Sequence, residues 1–268
     1  MTTRMTAQRL TRLITAGDAD AVRSAVADNP RLLGRTVERD GQGGWTPLHM
    51  AVAEGQAEIV RLLVEAGADL TARTEHSRTP LHVALEHSPS LVAELRTLGA
   101  AVDAPTAAYL DDVDQLTREL DGGARLADPR TGPLLSWAAH GGAAATARLL
   151  LQRGADADGG ALYAAAGHGG HELVRMLLDA GADVDRRDPE SGRAPLHAAV
   201  AAGPGGDAPE VVQLLLKAGA DVNATTPDGA TALDISRVAA ARSRRGDAGR
   251  ATGNDALGEL LRAHGASG

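Results

Sequence analysis

Apolar residues recur along the chain at helical spacing, in short runs that are separated by glycine. Leu48, Ala51 and Val52 lie three and four residues apart, and a second run, Ile59–Leu63, follows Gly55. Residues at this spacing share one face of an α-helix. The pattern predicts pairs of short amphipathic helices with a tight turn between the members of each pair.

The same string of residues returns along the chain, which makes the helix pairs internal repeats. T-P-L-H-M-A-V, which begins at Thr46, reappears as A-P-L-H-A-A-V at Ala194. The interval between two of the Gly-Ala endings, from Gly67 to Gly99, is 32 residues. A fixed period of about 20 to 50 residues is typical of proteins whose units stack on one another. The Gly-Ala endings begin at Gly67, Gly99, Gly154, Gly181, Gly219 and Gly265.

Each recurring residue has a physical role in such a pair. Thr46 is placed to cap the first helix, and Pro47 to occupy the first turn, where its missing N–H does no harm. Gly55 permits the tight turn between the helices, and Gly67 follows the second helix, where a left-handed backbone is common. Two short helices cannot bury their apolar faces alone, so we expect neighbouring pairs to stack.

With the T-P-L-H tetrapeptide and the G-A-D ending, the chain resembles the ankyrin-repeat family over most of its length. The resemblance implies an all-α fold, an ankyrin-repeat solenoid of stacked helix-turn-helix units with finger loops. We predict a single solenoid over residues 1–268. N-terminal capping helices are expected at 6–34, about six repeats with a degenerate third one at 41–223, and a C-terminal capping repeat at 226–266.

Two segments interrupt the repeat pattern. An insertion, Gly203–Pro209, separates the helices of the sixth repeat. In the C-terminal capping repeat, an arginine-rich insertion contains Arg242, Arg244, Arg245 and Arg250. Because small and polar residues interrupt these arginines and no aromatic residue accompanies them, we interpret the insertion as a solvated loop.

Composition narrows the classes of function. The formal net charge of -8 argues against nucleic acid, because phosphate binding needs a basic face. Cysteine is absent, which excludes disulfides and cysteine-ligated metals. No apolar stretch approaches the ~20 residues needed to cross a membrane, and the N-terminus lacks a signal-peptide pattern. We therefore expect a monomeric cytoplasmic protein without a cofactor, and its single lysine, Lys217, favours a GC-rich bacterial genome.

Three histidines occupy the fourth position of the tetrapeptide: His49, His82 and His197. In the family that the chain resembles, this histidine is structural and forms hydrogen bonds within and between repeat loops. We therefore expect these side chains to be bonded to the scaffold and to have no catalytic role.

A second set of histidines lies near the ends of helices in the fourth and fifth repeats. His140 and His168 fall at positions that face the concave groove in the family, and His171 matches a position where histidine is usual in the family. Metal-site spacings such as H-E-x-x-H are absent, so contact with a partner is favoured over a metal. Ser136 and His140 are four residues apart on a helix, but no nucleophile elbow accompanies them.

Three carboxylates follow one another in the degenerate third repeat. Asp111, Asp112 and Asp114 fall at the turn and the start of a helix. Acidic side chains complement the dipole at a helix N-terminus. We interpret them as solvated capping residues rather than as an acid–base pair.

The resemblance implies binding through the tips of the finger loops and the surface of the first helix in each repeat, where packing does not fix the side chain. Trp45 is the expected anchor, because exposed tryptophan contributes strongly to interfaces. Alternatively, Trp45 folds back over the loop of the capping unit. For Trp137, packing in the core and exposure in the groove are equally favoured interpretations. The predicted partner-binding residues are Gln42, Trp45, Glu54, His76, Arg78, Glu86, His87, His140, His168 and Arg193.

The resemblance thus implies a non-catalytic scaffold or regulator that binds a partner protein through its concave face and finger loops. The alternative is an atypical ankyrin-fold enzyme or small-molecule-binding protein with a site in repeats three to five. That site would depend on His140, His168, Tyr163, and Asp158 or Asp111. A deep pocket there would favour catalysis, and a shallow groove would favour partner binding.

Overall fold

The computed structural model of the protein describes residues 5–168, 170–203, 207–243 and 248–267. In these residues, α-helices follow one another in pairs, which confirms the predicted all-α ankyrin-repeat fold. We call the first helix of each pair the inner helix and the second the outer helix. The pairs are α1 Ala7–Thr15 and α2 Ala19–Asp28, α3 Pro47–Ala53 and α4 Ala57–Glu65, α5 Pro80–His87 and α6 Val92–Thr97, α7 Ala104–Tyr109 and α8 Val113–Asp121, α9 Leu134–His140 and α10 Ala144–Gln152, α11 Ala161–His168 and α12 His171–Asp179, α13 Pro195–Ala201 and α14 Ala208–Lys217, and α15 Ala232–Ser243 and α16 Ala248–Ala263.

Two of the loops that precede an inner helix form short antiparallel hairpins. The strands β1 Val37–Arg39 and β2 Gln42–Trp45 pair before α3, and β3 Ala127–Asp128 and β4 Gly132–Pro133 pair before α9. Two 3-10 turns, Pro30–Gly34 and Pro89–Leu91, complete the regular structure of the described residues.

The helix ends form as the sequence predicts. Thr46 and Thr79 cap α3 and α5 through their side-chain oxygens, and a proline occupies the first turn of both helices. Gly55 has φ 68° in the turn between α3 and α4, and Gly67 has φ 94° after α4. A side chain is strained in this left-handed region, so glycine keeps both turns tight.

The described residues divide into two compact units. The N-terminal unit contains residues 1–106 and 129–131, and the C-terminal unit contains residues 107–128 and 132–268. The division falls in the third repeat, which has lost the tetrapeptide. The repeat limits within a single solenoid stay a prediction.

Within each unit, the inner helices of successive repeats pack side by side. The rows are α1, α3 and α5 in the N-terminal unit and α9, α11, α13 and α15 in the C-terminal unit. Small residues at the contacts, such as Ala51, Ala84 and Ala199, have no exposed surface. Because alanine adds little bulk, the helices approach closely and bury the leucines beside them.

The tetrapeptide histidines are structural, as predicted. In His49, Nδ1 accepts a hydrogen bond from the Thr46 N–H at 3.3 Å, and Nε2 lies 3.0 Å from the Arg78 carbonyl oxygen in the next repeat. His197 joins Ala224 in the same way, at 2.9 Å, and the Nε2 of His82 lies 2.9 Å from the Asp103 carboxylate. All three side chains are completely buried. Each therefore ties its repeat to the loop that follows.

The third repeat replaces the turn glycine with Asp111, which has φ 58°. Its carboxylate accepts a hydrogen bond from the Thr146 N–H at 2.8 Å, so the exposed Asp111 caps the first turn of α10 and not the helix that follows it in the chain. Asp112 does cap α8, by accepting from the Gln115 N–H. The hydrogen bond to Thr146 gives this repeat a side-chain tie to α10.

The arginine-rich insertion is more helical than predicted. Because α15 continues to Ser243 and α16 begins at Ala248, Arg242 and Arg250 lie in helices and not in a loop. Arg244 and Arg245 lie outside the described residues. The insertion of the sixth repeat is also shorter than expected, because α14 already begins at Ala208.

Replacing His49 with alanine should lower the free energy of unfolding by about 2 to 3 kcal/mol, because the Thr46 N–H and the Arg78 carbonyl lose a buried partner. Urea unfolding followed by circular dichroism measures the change. The control His76→Ala, at an exposed loop position, should change it by less than about 0.5 kcal/mol. Equal effects of the two variants would contradict the assigned role of His49.

Burial lowers the pKa of His49 from its usual 6.5 to about 4. The unfolded chain therefore binds more protons than the folded chain between these values, and the free energy of unfolding should fall as the pH falls through this window. The contribution of His49 is on the order of 3 kcal/mol. Urea unfolding of the parent chain and of the variant His49→Gln, from pH 7 to pH 4, measures this contribution to the free energy of unfolding. Equal pH dependence in both chains would refute the assignment.

Candidate functional site

The finger loop of the first repeat buries the predicted anchor. Trp45 is only 6% exposed, so the expectation of an exposed tryptophan is wrong. Its ring lies edge-on to His49, at 6.1 Å between centroids, and the Arg39 guanidinium lies 5.3 Å from its centre. The indole Nε1 is buried and has no hydrogen-bond partner among the described residues. Trp45 thus packs within the repeat.

Two ion pairs connect the finger loops of the N-terminal unit with its inner helices. Arg39 Nη1 lies 2.9 Å from Glu54 Oε1 at the end of α3, and Arg78 Nε lies 3.0 Å from Glu86 Oε1 on α5. These four side chains are between 24% and 34% exposed. Neighbouring repeats therefore present paired charges on the same surface, and three of the four residues were predicted.

Arg39 is the residue that sequence reasoning missed. It lies on β1, outside the tetrapeptide, where the repeat pattern gives no signal. A signal was nevertheless present, because Asp40-Gly41 is a typical two-residue hairpin turn. Both residues have positive φ, at 51° and 77°, and the turn pairs Arg39 with Gln42.

The other predicted residues of the N-terminal unit lie on the same loops and helix ends. Gln42 is half-buried on β2, and His76 is exposed in the loop before α5. His87 is exposed as the last residue of α5, directly after Glu86. Together with the ion pairs, they form what we call the inner surface of the N-terminal unit: Arg39, Gln42, Glu54, His76, Arg78, Glu86 and His87.

In the C-terminal unit, His140 and His168 meet at the ends of α9 and α11. Their ring centroids are 6.5 Å apart and their planes are inclined by 77°. Burial, and to a smaller extent the charge of His140, lowers the pKa of His168. His140 Nδ1 lies 2.8 Å from the Ser136 carbonyl oxygen, to which it can donate. The two imidazoles are therefore neighbours with an open edge to solvent.

His171 does not join this pair. Its Nδ1 instead bonds to the carboxylate of Asp207, which precedes α14. Within the described ranges, no group of three or more His, Cys, Asp or Glu side chains could hold a metal ion.

The groups on which a catalytic site would depend are bonded to the repeat scaffold. The Ser136 hydroxyl donates to the Gly159 carbonyl at 2.7 Å, so it is not bonded to the His140 ring. The Tyr163 hydroxyl is hydrogen-bonded to the Ser191 hydroxyl at 3.2 Å. The Asp158 carboxylate accepts from the Asp183 N–H at 2.6 Å. Each of these polar groups is therefore hydrogen-bonded to a different loop residue.

Two further predicted positions have a clear place in the C-terminal unit. Trp137 is 6% exposed on α9, which assigns it to packing rather than to the groove. Arg193 is half-buried and stands two residues before Pro195, as Arg78 stands before Pro80. Arg193 therefore occupies the finger position that Arg78 has in the second repeat.

Across the parts of the chain that the structure describes, no helix is both long enough and apolar enough to span a membrane.

The family model for ankyrin repeats (3 copies) matches residues 11–106 and 135–226, which together make up more than half of the chain. Among curated proteins, B-cell lymphoma 3 protein of Homo sapiens is 36% identical over 167 residues, 60% of this chain and 34% of that protein. B-cell lymphoma 3 protein homolog of Mus musculus is 34% identical over 156 residues, 58% of this chain and 25% of that protein.

A third relative, tRNA endonuclease ANKZF1 of Homo sapiens, is 41% identical over 76 residues, 27% of this chain and 10% of that protein. The matches to the first two relatives span only about a quarter to a third of those proteins. What these relatives share with the chain is the repeat sequence that the family model describes. The chain belongs to the ankyrin-repeat family, whose repeats are in general modules for protein–protein interaction.

Proposed function

We propose that the chain is a non-catalytic scaffold or regulator that binds a partner protein through its finger loops and inner helices. The observation that carries the proposal is the inner surface of the N-terminal unit. There the apolar positions of α3 and α5 are used in stacking, whereas Glu54, Arg78, Glu86 and His87 lie at positions that stacking does not use. Side chains at such positions can serve recognition.

The ion pairs support a role in specificity. Arg39–Glu54 and Arg78–Glu86 hold long side chains in fixed positions at the groove, which reduces the entropy lost when a partner binds. Paired charges at an interface also discriminate between partners, because a wrong partner leaves them unsatisfied. Each of two consecutive repeats thus has one arginine–glutamate pair, although the paired residues occupy different positions of the repeat.

The comparisons support an interaction role and not a particular partner. The similarity to the B-cell lymphoma 3 proteins covers the larger part of this chain but a minor part of theirs, so their other properties are not transferred. The endonuclease activity belongs to a protein of which one tenth is matched. We further propose a monomeric chain in the cytoplasm of a bacterium, since its net charge of -8 disfavours self-association.

The catalytic alternative has less support. Ser136, Tyr163, Asp158 and Asp111 each bond to a separate part of the scaffold. A reaction centre requires such groups within reach of one substrate atom.

The triple variant Gln42→Ala, His76→Ala, His87→Ala tests the proposal, because it removes side chains from the inner surface and none from the buried core. Immobilised full-length chain is used to capture proteins from native cytosol, and the captured proteins are quantified by mass spectrometry. We expect the variant to retain about tenfold less of a specific partner.

The matched control carries Glu65→Ala and Arg96→Ala, at exposed positions on the outer side of α4 and α6. It should retain the partner at the parent level, and a circular-dichroism melt confirms that all three chains fold. The proposal fails if the control loses the partner while the triple variant keeps it, or if the parent chain retains no protein specifically.

A further inference from the structure

The finger arginine of the sixth repeat lacks the carboxylate that its counterpart has in the second repeat. Glu86 lies six residues after Pro80, and the residue six positions after Pro195 is Ala201. Whereas Arg78 is paired with Glu86 at 3.0 Å, Arg193 forms no such ion pair among the described residues. The C-terminal unit therefore carries a guanidinium without an ion-pair partner among the described residues, at the position where the N-terminal unit has the guanidinium of Arg78 paired with Glu86.

One carboxylate lies in the neighbourhood of Arg193 without pairing with it. The pKa of Asp228, an exposed residue of the next finger loop, is lowered chiefly by hydrogen bonding with Thr226 and to a smaller extent by Arg193. The Oδ2 atom of Asp188, in the same loop as Arg193, accepts from the N–H and the hydroxyl of Ser191, both at 2.7 Å, and Asp188 forms no ion pair with Arg193 among the described residues. Neither residue replaces the missing glutamate.

The glutamate positions of the inner helices are also changed in the C-terminal unit. His140 on α9 stands where α5 has Glu86, and His168 on α11 stands where α3 has Glu54. Both histidines are exposed and in contact with each other. Imidazoles in place of carboxylates remove negative charge from the surface that a ligand would approach.

Small residues lie where α11 packs against α13 and at the end of α13. Gly167 and Ala198 face each other between α11 and α13, since a Cβ placed on Gly167 would lie 3.7 Å from that of Ala198. Ala201 and Ala202 are exposed at the end of α13. With so little side-chain bulk, the backbone of an extended segment can approach the helices closely.

We infer that the inner face of the C-terminal unit, defined by His140, His168, Arg193 and Ala201, binds a segment of a partner protein that carries aspartate or glutamate side chains. The inference rests on the proposed function and specifies the chemistry of the partner. A guanidinium forms two parallel hydrogen bonds with a carboxylate, which makes Arg193 the primary contact. One arginine on a chain of net charge -8 does not make the basic face that nucleic acid requires.

The test is a selection of random peptides displayed on phage against the immobilised full-length chain. The parent chain should enrich peptides that contain aspartate and glutamate. A synthetic peptide of the most enriched sequence should then bind less tightly when NaCl is raised from about 0.15 M to about 1 M, because salt screens the charge pair.

Two variants and one control locate the contact. Arg193→Ala should lower the affinity of the chain for the selected acidic peptide about fivefold. Ala201→Glu rebuilds the arginine–glutamate pair of the second repeat and should abolish the enrichment of acidic sequences. Arg175→Ala removes the same charge from an exposed position on the outer helix α12 and should leave binding unchanged.

The outcomes separate this inference from the proposed function. The inference is overturned if the enriched peptides contain no excess of acidic residues. It is also overturned if the enrichment of acidic peptides is unchanged in Arg193→Ala and Ala201→Glu. If the parent chain meanwhile retains a partner in the capture experiment, the proposed function stands. If the parent chain retains no protein specifically in the capture experiment either, both the inference and the proposed function are overturned.

Discussion

Every repeat of this chain depends on a neighbour to bury its apolar face. A pair of helices of seven to nine residues, such as α3 and α4, has too little surface to form a core of its own. Stacking supplies the missing surface, and the buried histidines His49 and His197 fix their own repeats to the loops that follow. Within each unit the inner helices therefore lie side by side, with one edge packed against the neighbouring helices and polar residues at their ends exposed.

The recurring residues made the fold and its joints predictable. Thr46, Pro47, His49 and Gly67 each have one role that local chemistry dictates, and the structure places them in it. Trp45 was harder, because nothing local decides whether an aromatic side chain at a loop end turns outwards or packs on a neighbour. Its burial depends on the ring of His49 and on the Arg39 guanidinium across the hairpin, which are tertiary contacts.

The candidate site shows the same division between local and tertiary information. Glu54, Arg78 and Glu86 could be predicted because their places in the repeat define which way they face. That they form ion pairs depends on side-chain geometry across a loop, which spacing alone does not give. Asp111 is a further case, since its bond to Thr146 joins residues 35 positions apart in the chain. The two units thus share a backbone plan and differ in the charges they present.

Hydrogen–deuterium exchange of the full-length chain, with and without a captured partner, tests the central claim most directly. The account predicts that a bound partner slows exchange in the finger loops and at the ends of the inner helices, around 73–79 and 85–87 in the N-terminal unit or around 187–193 and 199–202 in the C-terminal unit. Slower exchange confined to the outer helices, such as α4 and α12, would contradict it.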